Sequence, residues 1–220
     1  MIEMGNPQDT TPVYIAVEGP IGVGKTTLAT ELAKALGSRF IHDTELVNPY
    51  LEAFYKTPDQ AGFHTQMHFL ASRLELLAAE RAGEPGTRVV TDFLLAKDRL
   101  FAELNLDETE WWMYRNLTDR LLQTVPAPDL VIYLQAPLPT LLQRIKRRGL
   151  RFEQHMDSHY LQRVIDMYER FFHEYEASSL LIVNASEINI ADNPDDLALL
   201  LNQVQSVKAG RNYFNPATTA

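Results

Sequence analysis

Apolar positions along the chain change period several times, and the changes predict alternating strands and helices. Val13-Tyr14-Ile15-Ala16-Val17 is a continuous apolar, β-rich run, the pattern of a strand covered on both faces. Leu28, Leu32, Ala35 and Leu36 then share one face of a helix that Gly37 ends. Arg39 to His42 reads as a short second strand, and Asn48-Pro49 breaks the chain before a short helix over 50–55. Phe63, Met67, Leu70, Leu74, Leu77 and Ala78 recur at helical spacing and predict a long amphipathic helix over 60–82. A glycine-rich turn leads to a third strand, Arg88–Thr91, and then to helices over 94–104 and 107–124. The second of these opens with Asp107 as N-cap and Glu110 at the third helical position. Asp129–Leu134 is strand four, 138–148 a helix ending in a basic cluster, 157–177 a helix, and Leu180–Val183 strand five. A last helix over 194–207 follows Asn193, with Asp195 and Asp196 in its first turn.

Strands alternating with helices predict an α/β fold: a five-stranded open parallel sheet with helices on both faces, three layers in all. One domain spans 12–207, between a loose leader over 1–11 and a loose tail over 208–220. Ligands of such sheets bind at the carboxyl ends of the strands. Three chemically loaded points lie just past a strand: Gly19–Thr26, Asp43 and Asp92.

The first is Gly19-Pro20-Ile21-Gly22-Val23-Gly24-Lys25-Thr26, which fits the phosphate-binding loop and has the strand before it and the helix after it that the motif needs. Its glycines let backbone N–H groups turn inward toward an anion, and the helix N-terminus adds partial positive charge. Gly19, Gly22, Val23, Gly24, Lys25, Thr26 and Thr27 are the predicted triphosphate site, with Lys25 reaching the β- and γ-phosphates and Thr26 reaching Mg²⁺.

Composition removes other classes. The chain has 220 residues, 45% hydrophobic, with a net charge of −9 and no cysteine. That charge opposes broad nucleic-acid or anionic-membrane binding. Disulfides and thiolate metal sites are excluded. There is no apolar run of membrane-spanning length and no signal-peptide start, so a cytoplasmic protein is the expectation.

Five stretches together resemble a known family, the deoxynucleoside kinases, in particular their bacterial deoxyadenosine/deoxyguanosine branch. They are the phosphate loop; Asp43-Thr44-Glu45-Leu46-Val47-Asn48-Pro49-Tyr50-Leu51 with Phe54-Tyr55; Phe63-His64-Thr65-Gln66 with Arg73; Thr91-Asp92-Phe93 through Lys97-Asp98-Arg99; and Arg144 to Glu153. The resemblance implies a P-loop kinase fold that transfers the γ-phosphoryl group of ATP to a deoxynucleoside 5′-hydroxyl, as a homodimer using Mg²⁺. It implies that Asp43 is the base toward that hydroxyl, one methylene shorter than the usual Glu, with Glu45 as the alternative. Tyr55 and Glu153 would hold the sugar 3′-hydroxyl, and Gln66, Arg73 and Asp98 would read the base. That trio suits adenine, guanine or cytosine better than thymine, and Asn48-Pro49 points to the purines. Arg144, Lys146, Arg147, Arg148 and Arg151 match a basic lid over 144–153, with Arg144 and Arg148 on ATP. Asp92 matches the acid that holds Mg²⁺ through water. Two positions depart from the family pattern: Phe93 and Leu150 stand where arginines are usual. The resemblance leaves the Phe93 cation to Arg151 or another lid residue.

Two rival functions have their own signatures. A nucleoside-monophosphate kinase such as a thymidylate kinase needs a cation for the acceptor phosphate, which Asp43 would repel. A non-catalytic nucleotide sensor would have no use for the carboxylate, the lid or the base-reading trio. The four-apart pairs His64/His68 and His155/His159 lack the flanking Glu and third ligand of a zinc site. Trp111, Trp112 and Tyr114 predict a helix face that is buried in the core or in a dimer contact.

Overall fold

Alternate residues of the central strands face opposite layers, and both layers are apolar. The computed structural model describes residues 13–43, 48–81, 87–122, 125–150, 153, 156–188, 190 and 193–215. Among them β1 (Tyr14–Glu18), β2 (Arg39–Ile41), β3 (Val89–Thr91), β4 (Leu130–Gln135), β5 (Ser179–Asn184) and β6 (Arg211–Phe214) form one parallel sheet in the order β2-β3-β1-β4-β5-β6. Ile15 and Val17 of β1, Leu130, Ile132 and Leu134 of β4, and Leu181 and Val183 of β5 face one core cluster. Ala16, Val131, Tyr133 and Leu180, the intervening residues, face the other side. Register is fixed by this alternation, with Ile15 opposite both Val90 and Leu130.

Helix α1 (Lys25–Leu36) lays Leu28, Ala29, Leu32 and Ala33 on the first face, joined by α6 (Leu138–Arg148) and α8 (Pro194–Ser206). α7 (Ser158–Glu174) covers the second face through Val164, Met167, Tyr168 and Phe172. Beside it, α3 (Pro58–Arg81), α4 (Lys97–Asn105) and α5 (Glu108–Leu122) close a third cluster around Leu70, Leu77, Phe93, Ala102 and Tyr114. The short α2 (Leu51–Lys56) leads into α3. Side chains cap several helix starts. Asp107 Oδ1 accepts from Glu110 N at 2.8 Å, Asp157 from His159 N at 3.1 Å, and Asn193 from Asp195 N at 3.1 Å.

The three-layer α/β architecture is the expected one, with one correction. The sheet has six strands, because residues 211–214 of the segment expected to be a loose tail pair in parallel with β5, Leu180 opposite Arg211 through Val183 opposite Phe214. Gly210 turns the chain at φ +87°, and Asn212 holds the turn by donating to the Lys208 and Gly210 carbonyls. Arg211 donates to the carbonyls of Phe172 and His173. Four residues of mixed polarity carry no period of their own; the strand exists through what it pairs with.

Candidate active site

The carboxyl ends of β1, β2 and β3 converge on one edge of the sheet, as the topology requires. The phosphate loop leaves β1 through Gly19, where a Cβ would stand 2.5 Å from the Leu134 carbonyl oxygen. It enters α1 through Gly24 at φ +107°, a conformation that side chains resist. Gly22 packs against Ile145 of α6, and Val23 is buried. Thr27 is exposed on the first turn of α1. Lys25 Nζ folds back onto the carbonyls of Gly19, at 2.8 Å, and Pro20, at 3.2 Å. Burial pushes its ammonium down to about 8; Glu18 opposes the shift and Lys97 adds to it.

Asp92, just past β3, is a three-way node. Its Oδ2 accepts from the Thr26 hydroxyl at 2.6 Å and lies 2.7 Å from His42 Nδ1, and its Oδ1 accepts from the Asp43 backbone N–H at 2.8 Å. The node joins the ends of three strands and fixes where Asp43 begins. It also brings together the hydroxyl and carboxylate predicted to hold Mg²⁺. Hard oxygens at the mouth of a phosphate loop are the donor set this cation prefers, so the residues fit it.

Asp43 meets Arg73 in a bidentate pair, Nε to Oδ1 and Nη2 to Oδ2, each at 2.8 Å. Lys97 Nζ adds a third donor, 2.9 Å from Oδ2. Burial alone would raise the Asp43 pKa, but Lys97 and Arg73 outweigh it and hold the carboxyl well below the usual carboxylate range. Arg73 reaches on through Nη1 to Asp98 Oδ1 at the start of α4. Asp98 is wholly buried, and burial pushes it up to about 6 against the pull of Arg73 and Lys97. Its Oδ2 has no hydrogen-bond partner among the described residues, and neither does Tyr114 Oη. Gln66, about two turns before Arg73 on the same face of α3, is buried as well. Arg73 and Asp98 of the predicted base-reading trio thus join the predicted base in one ion network.

Phe93 belongs to the core. It is fully buried, its ring centroid 5.8 Å from the Arg73 guanidinium carbon and 5.9 Å from Lys97 Nζ. Asn48 ties α2 to α3 by donating to Thr65 O at 3.0 Å and accepting from Tyr50 N at 3.0 Å. This brings Tyr55 to the electrostatic neighbourhood of Glu153 and Tyr160, and burial raises its phenol above the ordinary range. Glu153 accepts from Arg148 through both oxygens, Nε to Oε2 at 3.1 Å and Nη2 to Oε1. Burial raises Glu153 while Arg148 opposes. The carboxylate predicted to hold the sugar and a cation predicted for the lid are thus paired. Arg144 holds two backbone carbonyls instead, Val23 O at 3.0 Å and Ala185 O at 2.8 Å, clamping the phosphate loop to the end of β5. Lys146 and Arg147 are exposed on the last turn of α6. Arg151 and Glu45 lie outside the described residues. His64 and His68 flank the Tyr50 ring, with centroids 5.4 and 6.2 Å away.

Two side chains were not singled out by the sequence. Glu18, fully buried at the end of β1, accepts from Gly19 N and Leu94 N, each at 2.8 Å, and from Tyr168 Oη at 3.0 Å. Lys97 is the other. A glutamate inside an apolar strand and a lysine beside Asp98 are the only local signals they leave.

A phosphate loop beside a buried ion network at the strand ends of an α/β sheet points to a phosphoryl-transfer protein. The sequence pattern of the deoxynucleoside kinase family, described as "Deoxynucleoside kinase", matches residues 15–208. The chain belongs to that family: it is a phosphotransferase that phosphorylates a deoxynucleoside, a salvage reaction. It is 38% identical to a Bacillus subtilis deoxyguanosine kinase over 161 residues, 72% of this chain and 78% of that protein. To a deoxyadenosine/deoxycytidine kinase of the same organism it is 30% identical over 201 residues, 88% of this chain and 92% of that one. The structure of M. mycoides deoxyadenosine kinase with bound dATP superposes with a TM-score of 0.76 at 26% identity, covering 88% of this chain and 100% of that chain.

Proposed function

We propose that this chain transfers the γ-phosphoryl group of Mg²⁺-ATP to the 5′-hydroxyl of a purine deoxynucleoside, with Asp43 as the acceptor-side base. The observation that carries the reading is Arg73, one buried guanidinium bound to both Asp43 and Asp98. It ties the group that reads the base to the group that orients the hydroxyl. The lone Asp98 Oδ2 supplies a buried acceptor for an exocyclic or ring N–H of a base. A similar deoxyguanosine kinase and deoxyadenosine kinase support the purine preference. Mg²⁺, held by Thr26 with Asp92 behind it, would neutralise charge on the triphosphate. Tyr55 and Glu153 take the sugar, and the cations at the end of α6 cover the donor.

A homodimer and a cytoplasmic setting complete the proposal. α5 buries Tyr114 but exposes Trp112, Met113 and Leu117, an apolar patch suited to a second copy. No helix among the described residues is long and apolar enough to cross a membrane.

The test is ADP release with the four deoxynucleosides and their monophosphates as acceptors. Turnover on deoxyadenosine or deoxyguanosine, and on no monophosphate, is expected. Phosphorylation of a monophosphate alone would refute the assignment, and ATP binding without turnover on any acceptor would favour a sensor.

A further inference from the structure

Lys97 sits where donor and acceptor meet. It opens α4, is only 5% exposed, and reaches from Asp43 Oδ2, at 2.9 Å, toward Glu18 Oε2, at 3.8 Å. Glu18 is the residue from which the phosphate loop departs, and its oxygens already hold Gly19 N, Leu94 N and Tyr168 Oη. The ammonium therefore stands between the donor loop and the acceptor carboxylate. A transferring phosphoryl group crosses that interval.

Oδ2 of Asp43 already takes Arg73 Nη2 and Lys97 Nζ, so a substrate hydroxyl that uses this oxygen displaces one of the two donors. Arg73 is anchored at its far end by Asp98 and lies 4.5 Å over the Phe69 ring. Lys97 is a compact charge on a flexible stem, so it is the donor able to yield. Its charge also bears on Lys25. Lys25 rests on the Gly19 and Pro20 carbonyls, and an anion held between the two ammonium groups would relieve their repulsion, the electrostatic condition for a phosphate seat. Phe93, fully buried, offers no cation there.

We propose that Lys97 is a second catalytic lysine: it releases Asp43 Oδ2 to the acceptor hydroxyl and binds a non-bridging oxygen of the transferring phosphoryl group, opposite Lys25. In the step, the acceptor oxygen forms a bond to the γ-phosphorus as the bond to the β–γ bridging oxygen breaks. The hydroxyl proton goes to Asp43, ADP leaves with the electron pair of the broken bond, and Lys97 keeps its proton throughout. The inference rests on the reading of Asp43 as the acceptor-side base.

Lys97→Met removes the charge at nearly constant length, and Lys97→Arg keeps it. With ATP and deoxyguanosine or deoxyadenosine, Lys97→Met is expected to lower kcat on the order of 10²-fold, with either KM changed less than about threefold. Lys97→Arg is expected to recover at least about tenfold of that loss. Affinity for ADP with aluminium fluoride and the acceptor, a mimic of phosphoryl transfer, is expected to fall on the order of 10²-fold in Lys97→Met while affinity for ADP alone holds. A kcat within about threefold of wild type, or equal losses of affinity for ADP and for the mimic, would overturn the proposal. Asp43→Asn measured in parallel separates the two ideas. Full activity there defeats the base assignment, whereas the mimic affinity of Lys97→Met reports on the phosphoryl contact alone.

Discussion

The proposed donor and acceptor sides of the site are built on different physical principles. The phosphate loop is eight consecutive residues shaped by backbone: Gly19 clears Leu134 O, Gly24 takes φ +107°, and Lys25 rests on the loop's own carbonyls. The acceptor side is a buried ion network drawn from four places, Glu18 of β1, Asp43 past β2, Arg73 of α3, and Lys97 with Asp98 of α4. A loop of backbone donors binds any triphosphate. A network of buried charges is costly unless its members are paired, which restricts the arrangements it can take. On the proposed reading, the generic half of the reaction sits on the local motif and the selective half on the tertiary one.

The largest expected effect lies in that network. Arg73→Met strands two buried carboxylates and is expected to destabilise the fold by about 3–5 kcal/mol in urea unfolding. Lys25→Met, on the donor side, should cost far less; equal losses would erase the distinction. Asp43→Asn is next, lowering kcat on the order of 10²-fold or more while ATP affinity is nearly unchanged. If activity barely changes, Asp43 is not the base. Gly24→Ala strains the donor loop by about 1–2 kcal/mol and is expected to weaken ATP more than deoxynucleoside in separate binding titrations. The smallest effect is on pH. Burial lowers Lys25 to about 8, and the group must be charged to meet phosphate, so kcat/KM for ATP is expected to fall as pH rises through about 8. A profile flat to pH 10 would contradict that environment for Lys25.

Legibility in the sequence followed the same division. Strands β1 to β5 and the phosphate loop are local patterns, apolar runs and glycine spacing, and they stand where the sequence placed them to within a residue or so. β6 escaped because Arg211–Phe214 is an edge strand whose identity comes from β5. Asp43, Arg73 and Asp98 were legible as a set through family spacing; their union in one network was not, because α3 and α4 meet only in the fold. Glu18 and Lys97 were read past, since no periodicity reports that a charge is buried. Arg144 matched the lid by sequence, but its guanidinium reaches the carbonyls of Val23 and Ala185, a long-range contact invisible along the chain.

On the proposed reading, base reading and phosphoryl acceptance are coupled through Arg73. A double-mutant cycle on kcat/KM for the preferred deoxynucleoside tests it directly, with Asp98→Asn, Asp43→Asn and the pair. Because both carboxylates share one guanidinium, the combined loss is expected to fall short of the product of the single losses by about 0.5–3 kcal/mol. Losses that simply multiply would mean that the two carboxylates act independently and that Arg73 is only a structural strut between them.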